Sequence, residues 1–275
     1  MKALSGRELA ARIGASTGAQ AGDLAGDGRQ PRLAVVTATS DEASAWYVRS
    51  IANAAAKAGI ACDVYATVAE DLTATLTRLA GNPGVHGVML QTPLPGDAKL
   101  ADLAAAIPAA KDVDGASPES LGRLVAGLAA FPPATAEAVL ALLDHYQVEL
   151  RGRRAVVVGR SVVVGKPVAH LLLDRDATVT ICHSRTADLP AITRQADVLV
   201  VAAGRPGLIG PGHVSPGTVV IDVGTNATPD GGLAGDVDPA VTEVAALTPV
   251  PGGVGPVTTA LLLRHVAQAA AATLG

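Results

Sequence analysis

The sequence predicts an α/β protein made of two α/β domains, and three observations predict it. Short apolar runs of strand length alternate with helical segments over residues 33–90. The alternation gives way to turn-rich and helical chain over 91–147, and it resumes after a polar turn at Arg151–Arg154. Strands separated by helices run parallel, because each crossover returns the chain to the same end of the sheet. A length of 275 residues suffices for two ordinary domains, each with its own core.

The elements follow in order. Leu33–Val36 is a continuous apolar run, Asp41–Ala58 reads as a helix, and A-C-D-V-Y-A-T (61–67) alternates as a strand does. Leu72–Leu79 is helical, and V-H-G-V-M-L (85–90) is a further buried strand. After Gln91 come T-P-L-P-G, a helix near Lys99–Ile107, the turn K-D-V-D-G (111–115), and helical stretches at about 117–127 and 134–147. The second series has strands at 155–158, 178–182, 197–201 and 218–222, and a last helix at about 257–272. Alanine-rich helices such as I-A-N-A-A-A-K-A combine high propensity with close approach. The expected domains are residues 1–131, with 257–275 packing back on them, and residues 132–256.

Composition narrows the function. With 49% hydrophobic and 17% charged residues the chain is globular. A net charge of −4 leaves no basic footprint, so nucleic acid is not an expected partner. No segment reaches the length of a membrane span and the N-terminus has no continuous apolar stretch, so a soluble, cytoplasmic protein is expected. Cys62 and Cys182 lie far apart in apolar runs and read as buried free thiols, with no metal site.

The second half contains R-A-V-V-V-G-R-S-V-V-V-G-K-P-V-A-H, in which a strand runs into Gly159 and Pro167 stands in the first turn of a helix. That turn aims backbone N–H groups and the positive helix end at an anion. It departs from G-x-G-x-x-G: Ser161 stands for the second glycine, and Gly165 comes one residue late. A turn of this kind suits a phosphate site and a plain tight turn equally. The next strand ends in H-S-R-T, without the carboxylate that an NAD ribose calls for. Ser184 and Arg185, with Arg160, suit a 2′-phosphate instead, which favours NADP.

Several segments then converge in order and spacing: Q-T-P-L-P (91–95), K-D-V-D-G (111–115), G-R-S-V-V-V-G-K-P (159–167), V-I-D-V-G (220–224) and T-P-V-P-G-G-V-G-P (248–256). Together they resemble the methylenetetrahydrofolate dehydrogenase/methenyltetrahydrofolate cyclohydrolase family over essentially the whole chain. The resemblance implies oxidation of 5,10-methylenetetrahydrofolate by NADP⁺ and hydrolysis of the methenyl product. It also implies a folate cleft between the domains and a homodimer. By position it implies that Tyr47 stacks on the folate ring, Asp114 hydrogen-bonds the pterin, and Gln91 lies beside the reacting centre. Gly252, Gly253 and Pro256 would shape the cleft, and Gly159, Arg160, Ser161, Ser184 and Thr225 would hold the cofactor, beside the Arg185 already read as a 2′-phosphate partner. The chemistry suits these roles, since an aromatic face matches a flat ring and a carboxylate accepts two N–H bonds from an aminopyrimidine edge.

One residue departs from the pattern. The family reads Y-V-x-x-K, and this chain reads Y-V-R-S-I, so Ile51 stands where the catalytic lysine is implied. Arg49 is nearly across the helix from Tyr47, and Lys57 lies more than a turn beyond Ile51. Thr39, Glu42, Ala134 and Ala136 also differ from the family's usual residues. Hydride loss from a carbon between two nitrogens moves no proton. Water addition moves two, and general acid–base help is worth about 10²–10⁴-fold. A neutral residue also removes a repulsion on the order of 4 kcal/mol with the developing cation, at about 4 Å and an effective dielectric of about 20. The expectation is therefore a dehydrogenase with weak or absent cyclohydrolase activity. A related enzyme with a different substrate and a non-catalytic folate or nucleotide sensor are the alternatives.

Overall fold

The computed structural model describes residues 3–39 and 41–273. Met1, Lys2, Ser40, Leu274 and Gly275, which fall within the expected domain ranges, lie outside the described residues. Two compact units emerge, one formed by Ala11–Ala134 with Thr259–Gly275, the other by Met1–Ala10 with Thr135–Thr258. The first ten residues, expected in the first domain, therefore group with the second. There the Leu4 N–H donates to the Leu247 carbonyl and the Gly6 N–H to the Gly252 carbonyl, both at 2.9 Å.

The elements are α1 (Arg7–Gly26), β1 (Arg32–Thr37), α2 (Glu42–Lys57), β2 (Ala61–Ala66), α3 (Leu72–Ala80), β3 (Gly87–Leu90), α4 (Leu100–Ala104) and α5 (Pro118–Val125). There follow α6 (Ala134–His145), β4 (Arg154–Val158), α7 (Gly165–Leu173), β5 (Thr178–Cys182), α8 (Leu189–Thr193), β6 (Val198–Val201) and β7 (Val219–Asp222). The short β8 (Asn226–Ala227), β9 (Leu233–Ala234) and β10 (Ala246–Leu247) and the long α9 (Val254–Ala272) complete the chain. The sequence reading left α1 without an element. Its buried residues Leu9, Thr17, Ala21 and Leu24 form a stripe too small and too polar to register as a helical period. Helix α9 starts three residues earlier than expected, which places Pro256 inside its first turn.

In the first unit a parallel sheet has the order β2-β1-β3. Successive residues of a strand face opposite ways. Leu33 and Val35 thus feed one apolar cluster, with Ile51, Ala55, Met89, Leu262 and Val266. Ala34 and Val36 feed another, with Leu72, Leu76, Leu79 and Leu90. This is why Leu33–Val36 is apolar without alternation. In the second unit a five-stranded parallel sheet has the order β10-β7-β6-β4-β5. The chain leaves β4 for β5 on one side and returns to β6 on the other. The C-terminal end of β4 is accordingly a topological switch point, where open α/β sheets bind ligands. Both cysteines are free; Cys182 is buried as expected, whereas Cys62 is only half-buried.

Candidate active site

At the switch point, β4 ends in Gly159, whose φ of 134° no side chain tolerates easily. A Cβ there would overlap the Ala202 carbonyl, and one at Gly165 would overlap the Gly159 carbonyl. The turn, the start of α7 and the end of β6 therefore touch backbone to backbone. Ser161 explains the departure from the usual glycine motif. Its hydroxyl accepts from the Val164 and Gly165 N–H groups at 3.1 and 3.3 Å, closing the turn as a cap. The Gly159 N–H donates to the Cys182 carbonyl at 2.9 Å, tying the turn to the end of β5.

The loops 159–161 and 183–185 consequently leave neighbouring strands, with Val158 paired to Cys182. Arg160, Ser161, Ser184 and Arg185 are exposed there, so two guanidinium groups and two hydroxyls flank one sheet edge. The His183 ring accepts the Arg185 N–H at its Nδ1, 3.2 Å away, and thereby helps shape the 183–186 turn. Thr225 is exposed just beyond the end of β7. Gly252 and Gly253 are buried in this same unit, the former at φ 105° and under the Arg7 side chain. A Cβ on Gly6 would overlap the Gly253 carbonyl, so the N-terminal strap lies directly on that loop.

The other unit holds the remaining candidates. Helix α2 is capped by Asp41, whose carboxylate accepts from the N–H and hydroxyl of Ser44 at 2.8 Å. Ser44, Tyr47 and Ile51 follow at intervals of three and four residues on one helix face. Tyr47 is half-buried against the Ile51 cluster, and its hydroxyl hydrogen-bonds Thr259. Burial first, and the nearby Asp114 second, push the phenol well above its usual range, so it stays neutral. Asp114 is half-buried, and its carboxyl is pushed up to about 7 by burial and by Asp112.

The turn that presents Asp114 is held on several sides. Asp112 accepts from the Ala116 and Ser117 N–H groups at 3.1 and 2.8 Å. Gly115, at φ 62°, leaves no room for a Cβ beside Phe131 and Pro132. The Val113 carbonyl is 2.8 Å from Nδ1 of the buried His265, which must be the donor, and that ring stacks on Phe131 at 4.8 Å. Sequence reading missed His265 and Thr259; a histidine in the apolar run L-L-L-R-H-V was the available signal. Gln91 is buried. Its Nε2 donates to the Thr92 carbonyl at 2.6 Å, while Oε1 has no hydrogen-bond partner among the described residues. Such an orphaned acceptor suits a ligand donor.

Ile51 is 0% exposed, at the centre of an apolar cluster that also contains Ala134. Arg49 and Lys57 are exposed, away from that cluster. Trp46, the other aromatic of the pair, is 58% exposed and belongs to the outer face of α2. Tyr47, Asp114 and Thr259 are thus brought together, and Gln91 leaves the sheet on the same strand face as Met89, which packs in the Ile51 cluster. The side chain of Glu42 lies outside the described residues.

Comparison with known proteins gives a consistent picture. Residues 4–114 match the catalytic domain, and residues 133–274 the NAD(P)-binding domain, of tetrahydrofolate dehydrogenase/cyclohydrolase. The chain is 63% identical to the bifunctional protein FolD 1 of Saccharopolyspora erythraea, over 98% of this chain and 94% of that one. The crystal structure of the FolD dehydrogenase/cyclohydrolase from Campylobacter jejuni superposes with a TM-score of 0.96 at 38% identity, covering all of both chains. The Trypanosoma brucei dehydrogenase-cyclohydrolase, complexed with NADP and an inhibitor, superposes at 0.93 with 34% identity, covering 99% and 98%.

Proposed function

The chain belongs to the tetrahydrofolate dehydrogenase/cyclohydrolase family, and from that premise we propose that it works chiefly as an NADP-linked methylenetetrahydrofolate dehydrogenase with little hydrolytic capacity. The cofactor is NADP, and the residues present fit it. A glycine turn packed backbone to backbone stands at the switch point, and Arg160, Ser184 and Arg185 supply donors for a 2′-phosphate beside it. When bound, NADP⁺ supplies the hydride acceptor for the bridging carbon of the folate.

The observation that carries the proposal is the burial of Ile51 in an apolar cluster against which Tyr47 packs. Tyr47 offers a neutral aromatic face for the folate ring, and Asp114 offers a carboxylate for its aminopyrimidine edge. The buried Oε1 of Gln91 is oriented by the hydrogen bond that Nε2 donates to the Thr92 carbonyl and is open to a substrate donor. Of these groups only Asp114 exchanges a proton near neutrality, and it is assigned to the aminopyrimidine edge; the amine that would take a proton from water and return one to the ring nitrogen is absent from position 51.

The assay is direct: NADPH formation from methylenetetrahydrofolate is followed first, then decay of the methenyl absorbance. Rapid NADPH formation with methenyl decay at the uncatalysed rate is expected. Protein-catalysed decay at a rate comparable to the oxidation overturns the proposal. A second reading, a different substrate on the same scaffold, draws on the shared cluster of Ile51 and Ala134, both departures from the family pattern. NADPH binding without oxidation of methylenetetrahydrofolate would favour it.

We also infer a homodimer acting in the cytoplasm. The outer edge of β2 is unpaired among the described residues and exposes Val64, which suits pairing with a second copy. Among the described residues no helix is long and apolar enough to cross a membrane.

A further inference from the structure

The loops after β6 and β7 are organised by two aspartates. Asp236 is fully buried, and its carboxylate accepts from the N–H groups of Ala203, Gly204 and Arg205 at 2.6, 2.8 and 2.8 Å. A fourth donor, the Asn226 amide, reaches it at 2.9 Å. Asp222, the last residue of β7, is also buried; it accepts from the Gly224, Asp236 and Val237 N–H groups at 2.9, 3.0 and 3.0 Å. Among the described residues neither forms an ion pair with a lysine or arginine.

The two carboxylates are packed closely against glycine backbone. A Cβ on Gly224 would stand 2.5 Å from the Asp236 carboxylate, and one on Gly235 would overlap Asp222. Three successive N–H groups converging on one oxyanion form a nest of the kind that elsewhere binds free anions. Here the chain fills the nest itself. The segment so held begins at Ala202, whose carbonyl backs directly on Gly159 of the phosphate turn. Asn226 follows Thr225, which is assigned to the cofactor. Both loops lie at the C-terminal ends of parallel strands, the ligand-binding edge of such sheets.

We propose that Asp236, held in turn by Asp222, is a positioning residue for NADP: without touching the cofactor, it fixes the 202–205 and 225–226 loops against the Gly159 turn. The proposal rests on the reading that this unit carries NADP, and it goes beyond that reading by assigning part of the affinity to a carboxylate remote from any phosphate. In Asp236→Asn the side chain keeps its size but loses one acceptor and turns an NH₂ group toward N–H donors. A buried donor without its acceptor is costly, so NADP affinity by calorimetric titration should fall by about tenfold or more. Amide exchange at 203–205 should speed up by a similar factor, while kcat at saturating NADP⁺ and KM for the folate stay within about twofold.

Asn226→Ala removes the amide that donates to Asp236 and, at 3.2 Å, to the Ala234 carbonyl, but it leaves the three N–H groups of the nest paired, so it should fold and weaken NADP binding about two- to fivefold. Unchanged NADP affinity in either variant overturns the proposal. So does a joint loss of kcat, both KM values and thermal stability in Asp236→Asn, which would mark a merely structural role. If Asp236→Asn does not fold, Asn226→Ala decides alone. Failure of the unaltered protein to bind NADP would instead sink the cofactor reading.

Discussion

In the unit built on β4–β7, the candidate residues stand on backbone. Gly159 and Gly165 are required because main chain meets main chain, Ser161 closes the turn with its hydroxyl, and Asp236 gathers three N–H groups. In the unit built on β1–β3 the work falls to individual side chains: Tyr47, Gln91 and Asp114 project from a helix, a strand end and a turn. The two designs fail differently. Backbone sites tolerate almost no change at their glycines but much at their neighbours. Side-chain sites can change one residue and keep their fold, and Ile51 is an apolar residue fully accommodated at 0% exposure.

The largest effect should come from breaking the backbone design. In Gly165→Ala the new methyl would stand 2.5 Å from the Gly159 carbonyl carbon and 2.9 Å from the Arg160 nitrogen. No flexible side chain is there to yield, so the turn itself must open. NADP binding by titration should weaken by about 100-fold or more, a loss of roughly 3 kcal/mol or greater. Wild-type affinity in this variant would show that the turn is not the phosphate cradle.

A smaller gain should follow from restoring the side-chain design. Ile51→Lys places an amine in an apolar cluster, where burial lowers its pKa toward the range useful for general base catalysis. Methenyl hydrolysis should rise by about 10–100-fold, below the full range for such catalysis because Ala134 is unchanged. The variant should also melt lower, since a buried amine without an established partner costs about 1–3 kcal/mol. Unchanged hydrolysis in a folded variant would separate the hydrolytic step from residue 51 and shift attention to the neighbouring departures.

The contrast also explains what could be read in the sequence. The strands were legible because Leu33–Val36 and Val198–Val201 are buried on both faces and therefore apolar without interruption. The turn at Gly159–Gly165 was legible because glycines and Pro167 record backbone geometry. Helix α1 was not, because only Thr17 and Ala21 stand between Leu9 and Leu24 on its buried side, and they carry little period. The partners of a side chain are harder still. Thr259 and His265 reach Tyr47 and Val113 from more than 150 residues away, and only tertiary structure brings them there. The Asp236 nest was hidden for a like reason: its donors are N–H groups, which any residue supplies. Assignment of the first ten residues went astray because the strap is held by backbone hydrogen bonds to Leu247 and Gly252, and these have no sequence signature.

The smallest and most diagnostic change is at Asp114, where the side chain's charge can be tuned without replacing its shape. Its carboxyl is pushed up to about 7 by burial and by Asp112, against an ordinary value near 3.9. Between those values the folded protein binds more protons than the unfolded chain, so stability falls as pH rises through the window. Asp114→Asn removes that dependence. Its melting temperature relative to the unaltered protein should therefore rise from pH 5 to pH 8, by roughly 2–4 °C for each kcal/mol recovered. Folate binding should move the opposite way. The carboxylate that accepts two N–H bonds becomes the major form as pH rises through about 7, so KM for methylenetetrahydrofolate should improve across that value. In Asp114→Asn it should be flat with pH and weaker by about tenfold at pH 8, equivalent to roughly 1.4 kcal/mol. KM for NADP⁺ should stay put, because the cofactor residues belong to the other unit. A pH-independent KM in the unaltered protein would remove Asp114 from the folate site while leaving the backbone design untouched.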